Sequence, residues 1–173
     1  MWGFALAAAA VIAGTTTRPT VDEVAFRSRI LEIHNSERRA VGSQPLVWSD
    51  ALAADAAAWG SDLARRRAFE HDPGNRTQGE NLWMGTRGYY SLDAMLDGWV
   101  EEKPLLRGMT SWEDDYHAVG HYTQMVWSTT TAVGCAVTRS GSDEYLTCRY
   151  DPPGNVMGDS PYVDGGRSVP LTR

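Results

Sequence analysis

Apolar residues recur at helical spacing in three stretches of the chain: Phe26, Ile30 and Ile33; then Leu52, Ala56, Trp59 and Leu63; then Leu92, Met95, Leu96, Trp99 and Val100. Each pattern predicts an amphipathic helix with one buried stripe. Ser49 stands where an N-cap of the second helix belongs, and the third is expected from about Leu92 to Lys103, with Pro104 ending it. Val41 to Val47, holding Gly42 and Pro45, reads as a connection, and the Gly, Asp, Asn and Pro-rich stretch from Asp72 to Gly79 as a loop. A short apolar segment, Asn81 to Met84, follows that loop, and a short helix or turn is expected around Gly120 to Ser128. Helices early and strands late predict helices packed on a small antiparallel sheet, an α+β fold.

The strand signal is sharpest around Gly141-Ser142, a two-residue hairpin loop with Gly first, as a type II′ turn requires. Folding the chain there sets Cys135 opposite Cys148, Val137 opposite Leu146 and Val133 opposite Tyr150, all on one face. The register chosen by the turn agrees with the register chosen by the apolar pattern. Directly opposed residues lie close enough for a disulfide, and the alternative is two buried thiols. A bond between Cys135 and Cys148 would suit an oxidising compartment.

The amino terminus points the same way. Trp2 to Ala13 is an uncharged apolar run of 12 residues, short of the ~20 a membrane-spanning helix needs. It reads as a signal peptide over 1–13 with cleavage before Gly14, although no Lys or Arg precedes Arg18; a partly buried helix or an uncleaved anchor is the alternative. Residues 14–23 form a linker, 24–162 one folded domain and 163–173 a tail, in a 173-residue chain too short for two full cores. With 42% hydrophobic residues and seven Trp there is material for a packed interior. The net charge of −6, with no basic run longer than Arg65-Arg66-Arg67, argues against a nucleic-acid partner. No other stretch approaches the length of a transmembrane span, and a secreted monomer is expected.

The candidate chemistry lies in histidines and carboxylates. His117 and His121 stand four residues apart, a spacing that would offer two imidazoles on one helical face. Gly120 reads as the start of the helix, which leaves His117 outside it and favours His121. On the third helix Glu101 projects roughly 170° from the apolar stripe and Glu102 roughly 90°, so Glu102 can reach a cleft while Glu101 faces water. Glu80 stands where a Gly-rich loop gives way to an apolar strand, a position that often presents a side chain at a cleft edge. No Ser or Cys nucleophile with an evident base is present, and no Gly-x-Ser-x-Gly elbow.

Two long motifs then add a resemblance. Gly120-His121-Tyr122-Thr123-Gln124-Met125-Val126-Trp127 and Tyr150-Asp151-Pro152-Pro153-Gly154-Asn155 resemble the signature motifs of the CAP superfamily: cysteine-rich secretory, antigen 5 and pathogenesis-related 1 proteins, also called the SCP domain. His34-Asn35 with Arg38, Pro45 to Trp48, and Gly79-Glu80-Asn81 match in order. The likeness spans about residues 24 to 162 and is nearest the pathogenesis-related 1 type, with two cysteines where plant members usually have six. It implies a three-layer α/β/α sandwich whose cleft is lined by a tetrad, here His71, Glu80, Glu102 and His121. Two imidazoles and two carboxylates suit Zn²⁺ or another divalent cation, with His71 and His121 as ligands, though no cofactor is required. The family includes sterol and fatty-acid binders, and a protease role has been proposed for a few members. The expected function is a non-catalytic extracellular module for a lipid or sterol, glycan or protein ligand. The alternatives are a metal-dependent hydrolase, with Glu80 or Glu102 activating water, and a purely structural domain.

Overall fold

The computed structural model describes residues 21–162; the expected signal peptide, the first part of the linker and the tail 163–173 lie outside the described residues. The elements run α1 (Val21–Ala40), β1 (Val47–Trp48), α2 (Asp50–Arg66), β2 (Gly79–Thr86), α3 (Leu92–Val100), α4 (Tyr116–Val126), β3 (Ala132–Ser140) and β4 (Asp143–Asp151). Two 3-10 helices, Lys103–Gly108 and Trp112–Asp115, lead from α3 into α4.

The sheet order is β1-β3-β4-β2. β3 and β4 pair antiparallel in the register the turn predicts, Cys135 against Cys148, Val137 against Leu146 and Val133 against Tyr150. Gly141 holds φ +57°, the left-handed geometry that favours glycine at the first turn position. Cys135 and Cys148 are joined as a disulfide with Cα atoms 4.1 Å apart. β2 lies antiparallel on the outer side of β4, from Gly79 against Tyr150 to Thr86 against Asp143. One correction applies: the sheet is mixed, because the two residues of β1 pair parallel with Ala132 and Val133.

Alternation along the strands separates two layers. Val133, Cys135, Leu146, Cys148 and Tyr150 face α1, α3 and α4, and share a core with Ile30, Met95, Leu96, Trp99, Tyr122, Met125 and Val126. The opposite face meets α2, where Leu63 and Ala64 pack with Leu82 and Tyr145. Contact there is close enough that a Cβ on Gly134 would lie 2.2 Å from the Ala53 backbone nitrogen. Ser49 caps α2 as expected, accepting from the Leu52 N–H. The result is helices on both faces of a four-stranded sheet.

Two helix limits differ from the sequence reading. α3 ends at Val100, and Pro104 sits in the first turn of the following 3-10 helix, where its missing N–H costs nothing. α4 begins at Tyr116, so Gly120 lies inside it and His117 belongs to its first turn. The preceding 3-10 helix explains the early start: Ser111 and Asp114 form a capping box there, and the chain runs directly on into α4.

Residues beyond β4 are irregular in backbone but anchored. Gly154 N–H donates to Gln124 Oε1 (2.9 Å), Asn155 Nδ2 to the Gly120 carbonyl (2.8 Å), Ser128 N–H to the Pro161 carbonyl (2.8 Å) and Trp112 Nε1 to that of Asp159 (2.9 Å). Tyr162 packs against the larger core. A chain truncated after Asp151 is therefore expected to unfold at lower urea than one truncated after Tyr162, with a loss of about 3 kcal/mol or more from these contacts. Equal midpoints would show that the segment carries no packing role.

Candidate functional site: two histidine and glutamate pairs at the start of β2

Four side chains singled out in the sequence meet as two pairs. His71 Nδ1 lies 2.6 Å from Glu80 Oε1, and the Asp72 backbone N–H donates to the same oxygen (3.2 Å). His121 Nδ1 lies 2.5 Å from Glu102 Oε1, while Glu102 Oε2 accepts from the Tyr122 N–H (2.9 Å). Trp99 stacks on the His121 ring, 8° from parallel with centroids 5.8 Å apart. Glu102 follows the end of α3 but keeps a right-handed helical backbone, so its side chain stays on the inner border while Glu101 is exposed. His117, one turn before His121, is exposed and packs on Tyr116, outside both pairs.

The pairs are linked through the first residues of β2. Successive strand residues point to opposite faces, so Glu80 turns toward His71 while Asn81 turns toward α4. Asn81 Nδ2 donates to the His121 carbonyl (3.0 Å) and to the Tyr150 hydroxyl (3.2 Å). Tyr150 in turn donates to His34 Nε2 (2.9 Å), whose Nδ1–H is fixed on the Ile30 carbonyl (2.8 Å). This buried chain runs from α1 through β4 and β2 to α4. Burial, assisted by the nearby Arg38 charge, pushes the His34 imidazole down to about 4, and burial pushes the Tyr150 phenol well up.

Arg38, also fully buried, has no carboxylate partner among the described residues. Its guanidinium donates to the carbonyls of Gln44 (2.6 Å), Met125 (3.1 Å), Trp127 (2.8 Å) and Thr130 (2.7 Å). Ser43 adds a bond to the Val126 carbonyl (2.8 Å). The unpaired carbonyls at the end of α4 are thus satisfied from α1 and the loop after it. Desolvation lowers the Arg38 guanidinium to about 10, still charged at neutral pH. Asp72, despite burial that would raise it, is held below the usual carboxylate range by Arg149, whose Nη2 donates to it at 2.7 Å.

The sequence reading gave no site-supporting role to Asn81, Tyr150 or Arg149. A period-two count does place Arg149 on the α2-facing side of β4, a buried-strand position where a cation needs partners. No group of three or more His, Cys, Asp or Glu side chains among the described residues is arranged to hold a metal ion. What the arrangement offers instead is two imidazoles, each with Nδ1 taken by a carboxylate.

Comparison with known proteins identifies the fold. Residues 31–150 match the CAP family, described as the cysteine-rich secretory protein family. The chain is 37% identical over 139 residues to pathogenesis-related protein PR-1 of Medicago truncatula, covering 79% of each protein. It is 38% identical over 133 residues to pathogenesis-related protein 1C of Nicotiana tabacum, covering 76% of this chain and 78% of that one. Among solved structures, NaASP2 with Zn²⁺ superposes with a TM-score of 0.64 at 26% identity, covering 79% of this chain and 84% of that one.

Two outcomes follow from the buried polar groups. Arg38→Lys replaces a planar fork by a single ammonium and leaves buried carbonyls unsatisfied, so urea denaturation should show a loss of about 3 kcal/mol or more; a loss under about 1 kcal/mol would contradict the capping role. For His34 the folded value lies below the unfolded ~6.5, so between pH 6.5 and 4 the unfolded chain binds a proton that the folded chain does not. Its contribution is therefore complete above pH 6.5 and is lost as pH falls toward 4, at no more than about 1.4 kcal/mol per pH unit. Stability measured against pH should be flatter over that window in His34→Gln, and an unchanged slope would show that His34 is not the group responsible.

Proposed function

Because the chain belongs to the CAP family of cysteine-rich secretory proteins, close to its pathogenesis-related 1 type, we propose that it acts outside the cell as a non-catalytic binding module. In this reading the cleft presents His71 and His121 to a divalent cation such as Zn²⁺ and serves a lipid or sterol, glycan or protein ligand. One observation carries the reading: the carboxylates face inward and the imidazoles outward. The side chains of Glu80 and Glu102 are only 5% and 14% exposed, against 69% for His71 and 32% for His121.

A carboxylate accepting from Nδ1–H fixes the tautomer and leaves the Nε2 lone pair for a ligand, the usual outer partner of a metal-binding imidazole. The donor set therefore fits a cation held by neutral imidazole, with water or an external ligand completing its shell. When bound, the ion would supply a positive site for an anionic or polar group of that external ligand. The relative NaASP2, solved with Zn²⁺, lends support at 26% identity. Hydrolysis is less well served. Both candidate bases, Glu80 and Glu102, are already engaged by an imidazole and a backbone N–H, and three protein ligands are usual for a catalytic zinc.

Isothermal titration of the protein with Zn²⁺ tests this. Binding is expected to vanish in the His71→Ala, His121→Ala double variant and to weaken about 10 to 100-fold in Glu80→Gln or Glu102→Gln. It should also fade with acidification, because only neutral imidazole coordinates. Unchanged affinity in the double variant would place the metal elsewhere and remove this reading.

A further inference from the structure

A hollow of about 430 Å³ lies between α2 and the 72–78 loop, and none of His71, Glu80, Glu102 and His121 lines it. Its size falls in the ~300–1,000 Å³ range of small-ligand clefts. Trp59 forms an aromatic wall, and Asp55, Asp72, Asn75, Gln78 and Arg149 supply polar groups around it.

The walls are held before any ligand arrives. Asn75 Oδ1 accepts from the backbone N–H groups of Thr77 (3.3 Å) and Gln78 (3.0 Å), and its Nδ2 donates to the Gln78 carbonyl (2.8 Å). Gln78 Nε2 donates to Asp55 Oδ2 (2.7 Å), tying the loop to α2. The Trp59 indole N–H donates to the Glu70 carbonyl (3.2 Å), with the Arg66 guanidinium 5.4 Å from the ring centre. Arg149 is 2% exposed, and its Nη2 is held by the Asp72 carboxylate (2.7 Å). A wall whose polar side chains are already held in place lowers the ordering cost of binding.

Charge decides the ligand class. The guanidinium groups of Arg76 and Arg149 stand against the carboxylates of Asp55 and Asp72, so the lining is balanced. Arg149 already faces two carboxylates, Asp72 at 2.7 Å and Glu80 at 3.0 Å, so a simple anion gains little there. A neutral molecule with an apolar face and several hydroxyls suits this mixture. Its C–H face can lie on the indole, while its hydroxyls donate to carboxylates and accept from amide and guanidinium N–H groups. We infer that the hollow is a glycan subsite that takes a neutral sugar ring. The inference rests on the binding-module reading and deepens it by naming a ligand class, at a place distinct from the two imidazoles.

The test is ¹H–¹⁵N NMR titration of the protein with the neutral tetrasaccharides of β-1,4-linked N-acetylglucosamine, glucose and mannose. At least one should give saturable shifts at the Trp59 indole N–H and the Asn75 and Gln78 side-chain amides. The shifts at the Asn75 and Gln78 amides should disappear in Trp59→Ala, and affinity read at the Trp59 indole should fall about tenfold in Gln78→Ala, which decides the matter should loss of the indole unfold the chain. The His71→Ala, His121→Ala double variant should retain sugar binding whether or not the zinc reading stands. The inference is overturned by the absence of saturable shifts with all three sugars, by a response to inorganic phosphate or acetate alone, by indifference to both pocket variants, or by loss of binding in the histidine double variant.

Discussion

A single buried cation closes the carboxyl-terminal end of α4. Arg38 reaches from the last turn of α1 to four backbone carbonyls, two of which, Met125 and Trp127, belong to the end of that helix. A guanidinium suits this task because its five N–H groups lie in one plane and can serve several acceptors at once. With no carboxylate among the described residues to share the charge, the geometry has to be kept intact, since a buried cation that loses its acceptors is strongly unfavourable. α4 is thereby fixed against α1. The same helix carries His121, and its Tyr122 N–H holds Glu102. Strand β2 is tied to this frame by Asn81, whose amide bridges the His121 carbonyl and Tyr150.

On that frame the division between imidazole and carboxylate becomes intelligible. Glu80 Oε1 and both oxygens of Glu102 accept from imidazole or backbone N–H groups, and Glu80 Oε2 faces the Arg149 guanidinium at 3.0 Å, which fixes ring orientation and spends the carboxylates on positioning. Neither pair involves a residue from the other, yet Glu80 and Asn81 are consecutive, so any shift of β2 moves both. Arg149, across the sheet from Asn81, draws Asp72 and Glu80 together and so also forms part of the wall of the neighbouring hollow. Metal cleft and sugar subsite would then share a rigid partition rather than residues.

The parts of this architecture legible in the sequence are those where two independent signals coincide. The hairpin register rested on both Gly141 and the alternating apolar residues, and the pairing of Cys135 with Cys148 came with it. Glu102 was separated from Glu101 by helical angle and again by family likeness. Where only one weak signal exists, the structure departs from the expectation. β1 is two residues long and forms only because β3 lies beside it. Gly120 reads as a helix start, but the 3-10 helix Trp112–Asp115 runs directly into α4 and carries the helix through it. The buried stripe of α1 runs Ile30, His34, Arg38 at four-residue spacing, two of the three being polar, so hydrophobicity alone underrates that face. Arg149 carries no local signal for a related reason: its partners Asp72 and Glu80 are distant in sequence, and only the pairing of β2 with β4 and the loop before β2 bring them near.

The candidate site depends on each carboxylate holding Nδ1–H and turning Nε2 outward. Long-range ¹H–¹⁵N correlation spectra of the histidine side chains at pH 8 report the tautomer directly. The Nδ1–H tautomer is expected for both His71 and His121, with Nε2 carrying the chemical shift of an unprotonated nitrogen; Nε2–H in either ring would contradict the pairing.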